Sequence, residues 1–458
     1  MNIILEKVYA NSPNILQNIM VTMFDVLMYS KRRGGAYKYW LGYHRKYWNA
    51  GKDELLREQK RRLNEFIEYA SGNSDFYKAR LKNIGRGEIN QNQLKNIPYL
   101  TKRSLSVNVE KIRTVAHSKS YVAHTGGTTG ISMTTYFTWD GIQERQAILD
   151  LFRAQYGYQL GIRIGWFSGK TLLSKTDIKK KRFWKTDYYH NIRYYSTFHT
   201  ADKNLAYYIE NINTYKPKYL SGFPSSVYEI ANYGLKNELS IGYRIECFFP
   251  TSESITHEYL RTIKEFFKCE VADQYASAEG APFIFQRIED GKLHYYCLSG
   301  IIEVVEADGS NTIKGEMIVT SFTTKGTPLI RYQIGDRVTF DKTFNGYAHG
   351  GPIVQAIEGR INDYVYSEET GKINLGNISN CVKYVKGVKR FQIIQNKLDM
   401  IQVLVEADVT YTEIDEARFL KELKDRMGLA VDIEFRHVDH IPRESSGKYR
   451  IVKNNIAQ

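Results

Sequence analysis

Cysteine is scarce. Cys247, Cys269, Cys297 and Cys381 are the only four in 458 residues, and no C-x-x-C pair occurs. Thiols this widely spaced argue against a disulfide framework and against a four-cysteine zinc cluster; reduced, buried thiols are expected. Long apolar runs are also missing. No uninterrupted stretch of ~20 apolar residues occurs, so a spanning helix is not expected. The opening segment MNIILEKVYANSPNILQN lacks the basic, apolar, small-residue order of a signal peptide. Ile15–Met28 is apolar enough to touch a bilayer, but Gln17, Asn18 and Asp25 interrupt it, and a core or surface helix is the expectation. A cytoplasmic protein without stable membrane insertion follows. Serine hydrolase and zinc protease signatures are absent too. No G-x-S-x-G is found, and His257-Glu-Tyr-Leu-Arg261 lacks its second histidine.

What is present is ordinary for a soluble globular protein: 42% apolar and 25% charged residues. The length allows two to four domains, at ~100–200 residues each. Lys plus Arg is 64 against 50 acidic residues, a formal charge of 64 − 50 = +14. The densest basic stretch, Lys170–Lys185, holds seven Lys/Arg and one Asp, with Trp184 near its end and Tyr188, Tyr189, Tyr194 and Tyr195 following. A solvated basic loop is the plain reading. Nucleic-acid binding is the alternative, which salt-sensitive DNA retention without ATP-dependent chemistry would favour. Basic charge equally suits acidic small molecules such as nucleotides and coenzyme A.

Helical periodicity over residues 53–70 aligns Leu55, Leu56, Leu63, Phe66, Ile67 and Ala70 on one face. Leu205, Tyr208, Ile209 and Ile212 repeat it ahead of a buried strand at Lys218–Leu220 and the breaker Gly222-Phe-Pro224. From residue 269 the segments CEVADQY, IIEVVE (301–306) and KGEMIVTSF (314–322) read as strands. Beyond Gly359, FQIIQ (391–395) and MIQVLVEA (400–407) form a hairpin, 413–428 a helix and VDIEFRHV (431–438) a strand. The division is therefore a large α/β unit over 1–360, with mixed sheets and an N-terminal helical segment, and a small α+β unit over 361–458.

Five segments can carry chemistry. Tyr121-Val-Ala-His-Thr-Gly-Gly-Thr-Thr-Gly130 combines glycines that admit a ligand to the backbone with threonine hydroxyls, and its successive N–H groups suit an anion. It is not a Walker loop, because Ile131 stands where that motif needs lysine. Taken alone it is equally a plain glycine turn. Asp273-Gln-Tyr-Ala-Ser-Ala-Glu279-Gly pairs an aromatic that can stack on a base with a carboxylate that can hold Mg²⁺. Pro328-Leu-Ile-Arg-Tyr-Gln-Ile-Gly-Asp336 puts a carboxylate after a tight glycine turn, where it can accept two ribose hydroxyls or cap its own turn. Glu358-Gly-Arg360-Ile-Asn-Asp363 offers an arginine to phosphate or to a surface ion pair. Pro442-Arg-Glu-Ser-Ser-Gly-Lys448-Tyr-Arg450 sets a lysine on an exposed loop that can deliver an ammonium to developing negative charge.

Each segment is weak alone, but all five occur in one order. Together they resemble the adenylate-forming superfamily of acyl-CoA synthetases, luciferases and peptide-synthetase adenylation domains, from about residue 97 to the C-terminus. Ile97-Pro-Tyr-Leu-Thr-Lys102 and Ser221-Gly-Phe-Pro-Ser-Ser226 are similar to the phenylacetate–CoA ligase-like branch, which includes CapK-type proteins of capsule and polysaccharide gene sets. The resemblance implies ATP and Mg²⁺ as cofactors, a small carboxylic acid as substrate, and CoA or an amine as acceptor. Thr125, Gly126, Gly127, Thr128, Thr129 and Gly130 would cradle the phosphates. Tyr275 would lie by the adenine, Glu279 would hold the metal, Asp336 would take the ribose and Arg360 would sit near phosphate or ribose. Thr128, Glu279 and Lys448 would be catalytic, with Lys448 bridging carboxylate and α-phosphate. Trp166, Phe223, Ala276 and Ser277 would line the acyl pocket.

Two departures matter. The family's pivot falls on Asn362, where many relatives have Asp; Asn tolerates unusual backbone angles, and Asp363 is the next candidate. The stretch after Glu279 has no cysteine. His294 and Cys297 alone do not make a structural site, so no zinc is expected. A catalytically silent homologue acting as a binding or scaffold protein is the remaining alternative, and the joint presence of Thr128, Thr129, Glu279, Asp336, Arg360 and Lys448 argues against it.

Overall fold

A computed structural model describes the chain apart from residues 1–7, 83–88, 125–133, 342–350, 359–363, 375–377, 443–449 and 457–458 and the single positions 169, 171, 198, 201, 252, 254, 307, 311, 369, 370, 379, 383 and 384. Three helices open it: α1 (Asn14–Arg33), α2 (Tyr37–Tyr47) and α3 (Lys52–Asn73). The last extends the periodic stretch by one residue at its start and three at its end; Leu55, Leu63, Phe66, Ile67 and Ala70 are buried as the spacing predicts. The hairpin β1 (Tyr121–His124) and β2 (Thr134–Phe137) follows, then α4 (Trp139–Gln155).

The next strands form a six-stranded sheet: β3 (Ile164–Ser168), β4 (Trp184–Asp187), β5 (Ile192–Ser196), β6 (Tyr219–Gly222), β7 (Cys247–Pro250) and β8 (Glu270–Val271). Their spatial order is β4-β5-β3-β6-β7-β8, parallel except for the edge strand β4. Helices cover it, including α5 (Lys175–Lys179), α6 (Asp202–Tyr215) and α7 (Pro224–Lys236). In a parallel sheet, ligands enter at the carboxyl ends of strands where the order reverses. Here that place is the end of β3 and β6.

The segment expected as one strand at 269–275 is two. β8 closes the first sheet, and β9 (Gln274–Tyr275) opens a second. That second sheet adds β10 (Ile284–Gln286), β11 (Leu293–Tyr295), β12 (Gly300–Val305), β13 (Lys314–Ser321), β14 (Leu329–Phe340) and β15 (Ile353–Glu358), all antiparallel, in the order β12-β13-β14-β15-β11-β10-β9. Gly335 is not the tight turn expected there. It sits at φ +84° inside the twelve-residue β14, where pairing with β13 jumps from Glu316↔Arg337 to Ile318↔Gln333. The two extra residues make a bulge, and a bulge re-aims the side chain beside it, here Asp336.

After the hairpin β16 (Tyr364–Ser367) and β17 (Gly371–Asn374), β18 (Val388–Lys397), β19 (Met400–Ala407), β20 (Asp432–His437) and β21 (Val452–Asn454) form a four-stranded sheet in the order β20-β19-β18-β21. It packs on α8 (Glu413–Met427) around its own apolar core of Phe391, Ile401, Val403, Phe419 and Leu423.

The basic stretch is only partly solvated. Lys185 lies in β4, fully buried, 2.7 Å from Asp177 and donating to Asn14 Oδ1 at 2.8 Å. The N-terminal helices are fastened by a second buried cluster. Glu144 of α4 pairs with Arg62 at 2.5 Å and His44 at 3.1 Å, and His44 Nδ1 meets the Tyr296 hydroxyl at 2.8 Å. Burial alone would raise Glu144, but the charge of Arg62 and the hydrogen bond from His44 outweigh it and hold the carboxyl at about 2. Arg62→Leu leaves that carboxylate buried beside His44 alone, and stability should fall by about 3–5 kcal/mol in urea unfolding. The pH sign follows. An unfolded glutamate takes its proton near 4.5 and the folded one near 2, so the contribution is complete above the first value and lost as pH falls through the second. The variant should therefore lose its acid resistance in that window.

Candidate functional site

The expected nucleotide residues begin on two strands of the second sheet. β9 and β14 are four spacings apart, roughly 19 Å on a flat sheet. The Tyr275 hydroxyl nevertheless donates to Asp336 Oδ2 at 2.6 Å. The sheet must curl for this contact to form, and the bulge at Gly335 turns the buried Asp336 toward it. A ring and a carboxylate that lie sixty-one residues apart in sequence thus share one wall.

Glu279 is placed by a different device. The Ser277 hydroxyl accepts from Gly280 N at 3.1 Å and Ala281 N at 3.0 Å, which closes a turn around Glu279. Ser277, expected in the acyl pocket, fastens this turn with its hydroxyl. Gly280 sits at φ +103°, and a Cβ there would lie 2.4 Å from Thr324 Cγ2 and 2.9 Å from the Phe137 ring. Only glycine allows the turn to press so closely against β2. The Gly280 carbonyl accepts from Ser321 Oγ at 2.6 Å and Arg145 Nη1 at 3.3 Å, and Arg145 also donates to Thr323 Oγ1 at 2.9 Å. Burial pushes the Arg145 guanidinium down to about 10. Nothing local to Arg145 in the sequence marks it; its role comes from α4 crossing behind the turn. Burial likewise pushes the Asp273 carboxyl, where the chain passes between the sheets, up to about 6. Glu279 itself is buried. An anionic oxygen donor is the ligand chemistry a hard cation such as Mg²⁺ takes.

Two of the expected acyl residues belong to the first sheet, Trp166 within β3 and Phe223 directly after β6. Trp166 pairs in register with Ser221, and Phe223 N donates to Phe167 O at 3.1 Å. Arg153 stacks on Trp166, with its guanidinium carbon 5.3 Å from the ring. Ala276 is exposed on the segment after β9. Two contacts join this region to the wall of Tyr275 and Asp336: Thr251 N donates to Gly222 O at 2.9 Å, and Gln274 Nε2 donates to Pro250 O at 3.2 Å.

Thr125, Gly126, Gly127, Thr128, Thr129 and Gly130 lie outside the described residues, as do Arg360, Asn362, Asp363 and Lys448. On either side of the first group, His124 and Thr134 are paired. His294, considered as a zinc ligand, contacts Asp290 at 2.8 Å and Gly351 O at 3.1 Å through its two nitrogens. Among the described residues no group of three His, Cys, Asp or Glu side chains is placed to hold a metal.

The family model of the CapK C-terminal domain matches residues 365–455. Over 465 aligned positions the chain is 32% identical to Protein CapK of Staphylococcus aureus, covering 99% of this chain and all of the relative. The chain belongs to the CapK family. Among solved structures, this CapK-family protein is similar to 2-hydroxyisobutyryl-CoA ligase in the post-adenylation state in complex with 2-HIB-AMP, with TM-score 0.69, 17% identity, and coverage of 89% and 91% of the two chains. The same ligase in the thioesterification state gives 0.55 at the same coverage. The fold of the CapK-family protein is therefore that of the adenylate-forming CoA ligases, the large unit and the C-terminal unit included.

Proposed function

We propose that this CapK-family protein is an AMP-forming ligase. A carboxylate oxygen attacks the α-phosphorus of ATP, the bond to the β-phosphate oxygen breaks, and pyrophosphate leaves. The acyl group then passes to the thiol of coenzyme A or to an amine, with AMP departing. The carrying observation is the 2.6 Å contact of Tyr275 with Asp336, beside the locked turn that presents Glu279. Tyr275 stacks on the adenine and Asp336 accepts the ribose hydroxyls, while Glu279 would hold Mg²⁺, which neutralises phosphate charge when bound. Thr125–Gly130 cradle the phosphates, Arg360 meets phosphate or ribose, and Lys448 reaches the reacting oxygens. Trp166 and Phe223 border the acid. Residues 361–458 act as a lid that pivots at Asn362 or Asp363. The branch resemblance further suggests modification of a polysaccharide precursor in the cytoplasm.

Pyrophosphate release screened over aromatic, aliphatic and amino acids, with and without CoA, tests the reading. Acid-stimulated release is expected; none from any acid would reject it. Release without thioester formation when CoA is supplied assigns the acceptor to an amine.

The arrangement of the two units bears on this cycle. Arg390 of β18 pairs with Glu229 of α7 at 2.8 Å, Lys389 with Asp202 at 3.2 Å and Lys236 with Asp408 at 3.3 Å. The higher score against the post-adenylation state supports a role for these pairs in holding that orientation. Glu229→Ala should slow acid-dependent pyrophosphate release by about fivefold, equivalent to ~1 kcal/mol for a half-buried pair, and leave single-turnover transfer from pre-formed acyl-adenylate unchanged.

A further inference from the structure

Helix α1 is turned opposite to a normal surface helix. Its inward face carries Gln17, Asn18 and Asp25, all buried, alongside Val21 and Tyr29. Each polar group there is matched: Gln17 donates to Tyr9 O at 2.9 Å, Asn18 Oδ1 accepts from Thr186 N at 3.1 Å, and Asp25 accepts from the Tyr194 hydroxyl at 2.6 Å. Ile15, Leu16, Ile19, Met23, Phe24 and Leu27 all point outward, with Met23, Phe24 and Leu27 57–63% exposed. At 100° per residue these six occupy one arc of about 180°. Scattered exposed apolar residues are normal, but a contiguous face this size marks an interaction surface.

The charge around this face selects the occupant. α1, α5 and β4 contain three carboxylates, Asp25, Asp177 and Asp187, and all three are buried. Their exposed charges are cations. Lys31 is exposed at one end of α1, and Arg32 beside it is half-buried, with its guanidinium 5.9 Å from the Tyr121 ring. At the other end Lys185 ties α5 to Asn14, and Lys175, Lys179, Lys180 and Lys181 are exposed. A second copy meeting this face, parallel or antiparallel, would bring cations against cations. An anionic lipid surface would neutralise them, at about fivefold in affinity per basic residue near the headgroups. No helix among the described residues is long and apolar enough to cross a membrane, which fits a helix lying in the interface plane. Tyr188 and Tyr189 are exposed beside α1, with Tyr188 N donating to Thr22 Oγ1 at 3.0 Å, and tyrosine suits headgroup depth.

We infer that the outer face of α1, with its flanking lysines, docks the protein reversibly on an anionic bilayer.

Co-sedimentation of the full-length protein with vesicles tests this without ATP or any acid, so its outcome is separate from that of the ligase assay. Vesicles of equal parts phosphatidylcholine and phosphatidylglycerol should capture the protein, phosphatidylcholine alone should not, and high salt should release it. Combined Met23→Ser, Phe24→Ser and Leu27→Ser should lower binding by at least about tenfold with an unchanged melting temperature. Phe24→Ser alone serves if the triple variant does not fold. Absence of binding to the anionic vesicles overturns the inference, as does full binding by the folded variant. A dimer in lipid-free buffer that the same substitutions split, with no vesicle capture, assigns the face to a second copy and overturns it too.

Discussion

Lys448→Ala is expected to reduce acid-dependent pyrophosphate release by at least ~10²–10³-fold, the usual cost of removing one donor aimed at developing negative charge. The charge on the transferring oxygens rises only as the carboxylate closes on phosphorus. An ammonium supplied at that moment acts on the transition state more than on bound ATP. The loss should therefore appear in kcat, with the KM for ATP nearly unchanged. Melting temperature should hold, because Lys448 stands in a polar tail, Arg443-Glu-Ser-Ser-Gly-Lys448. Transfer from chemically supplied acyl-adenylate should survive, since that step needs no attack at phosphorus. Normal pyrophosphate release by a folded Lys448→Ala protein would remove this lysine from the mechanism.

Asp336→Ala should act on the other side of the ledger, in ATP binding, lowering kcat/KM for ATP by about 10²-fold. Two hydrogen bonds from ribose to a charged acceptor contribute about 1.5–3 kcal/mol each before compensation by water. The substitution also removes the acceptor of the Tyr275 hydroxyl. Tyr275→Phe separates the effects: it keeps the ring, loses the 2.6 Å bond, and should cost only about fivefold to tenfold. The decisive measurement is a cycle with 2′-deoxy- and 3′-deoxy-ATP. Each analogue should be discriminated against by the wild type and accepted equally with ATP by Asp336→Ala. Equal discrimination by both proteins would place the ribose elsewhere.

Elements with strong periodicity are legible in the sequence. The helix over 53–70 and the hairpin over 391–407 fall within a few residues of Lys52–Asn73 and of Val388–Lys397 with Met400–Ala407. Two local readings failed, and a third stopped short, each for a reason outside its own segment. CEVADQY reads as one strand, yet Glu270–Val271 and Gln274–Tyr275 pair in different sheets, because pairing depends on neighbours far away in sequence. Gly335 has the look of a turn, but β13 pairs with β14 on both sides of it and converts it to a bulge. Gln17, Asn18 and Asp25 seem to interrupt an apolar helix, and they are the face it buries.

By itself the sequence determined which kinds of residue this protein sets in order, and hence its family: glycines and threonines, an aromatic with a carboxylate, a second carboxylate, an arginine and a tail lysine. Only the tertiary structure decided that Tyr275 would meet Asp336, that Arg145 would stand behind Glu279, and which side of α1 would face outward. Periodicity shows that a helix has two faces, but the inward one is chosen by where partners lie. For α1 those partners, Thr186, Tyr188 and Tyr194, come from β4, β5 and the turn between them, about 170 residues on, and their hydrogen bonds make a polar face the one worth burying.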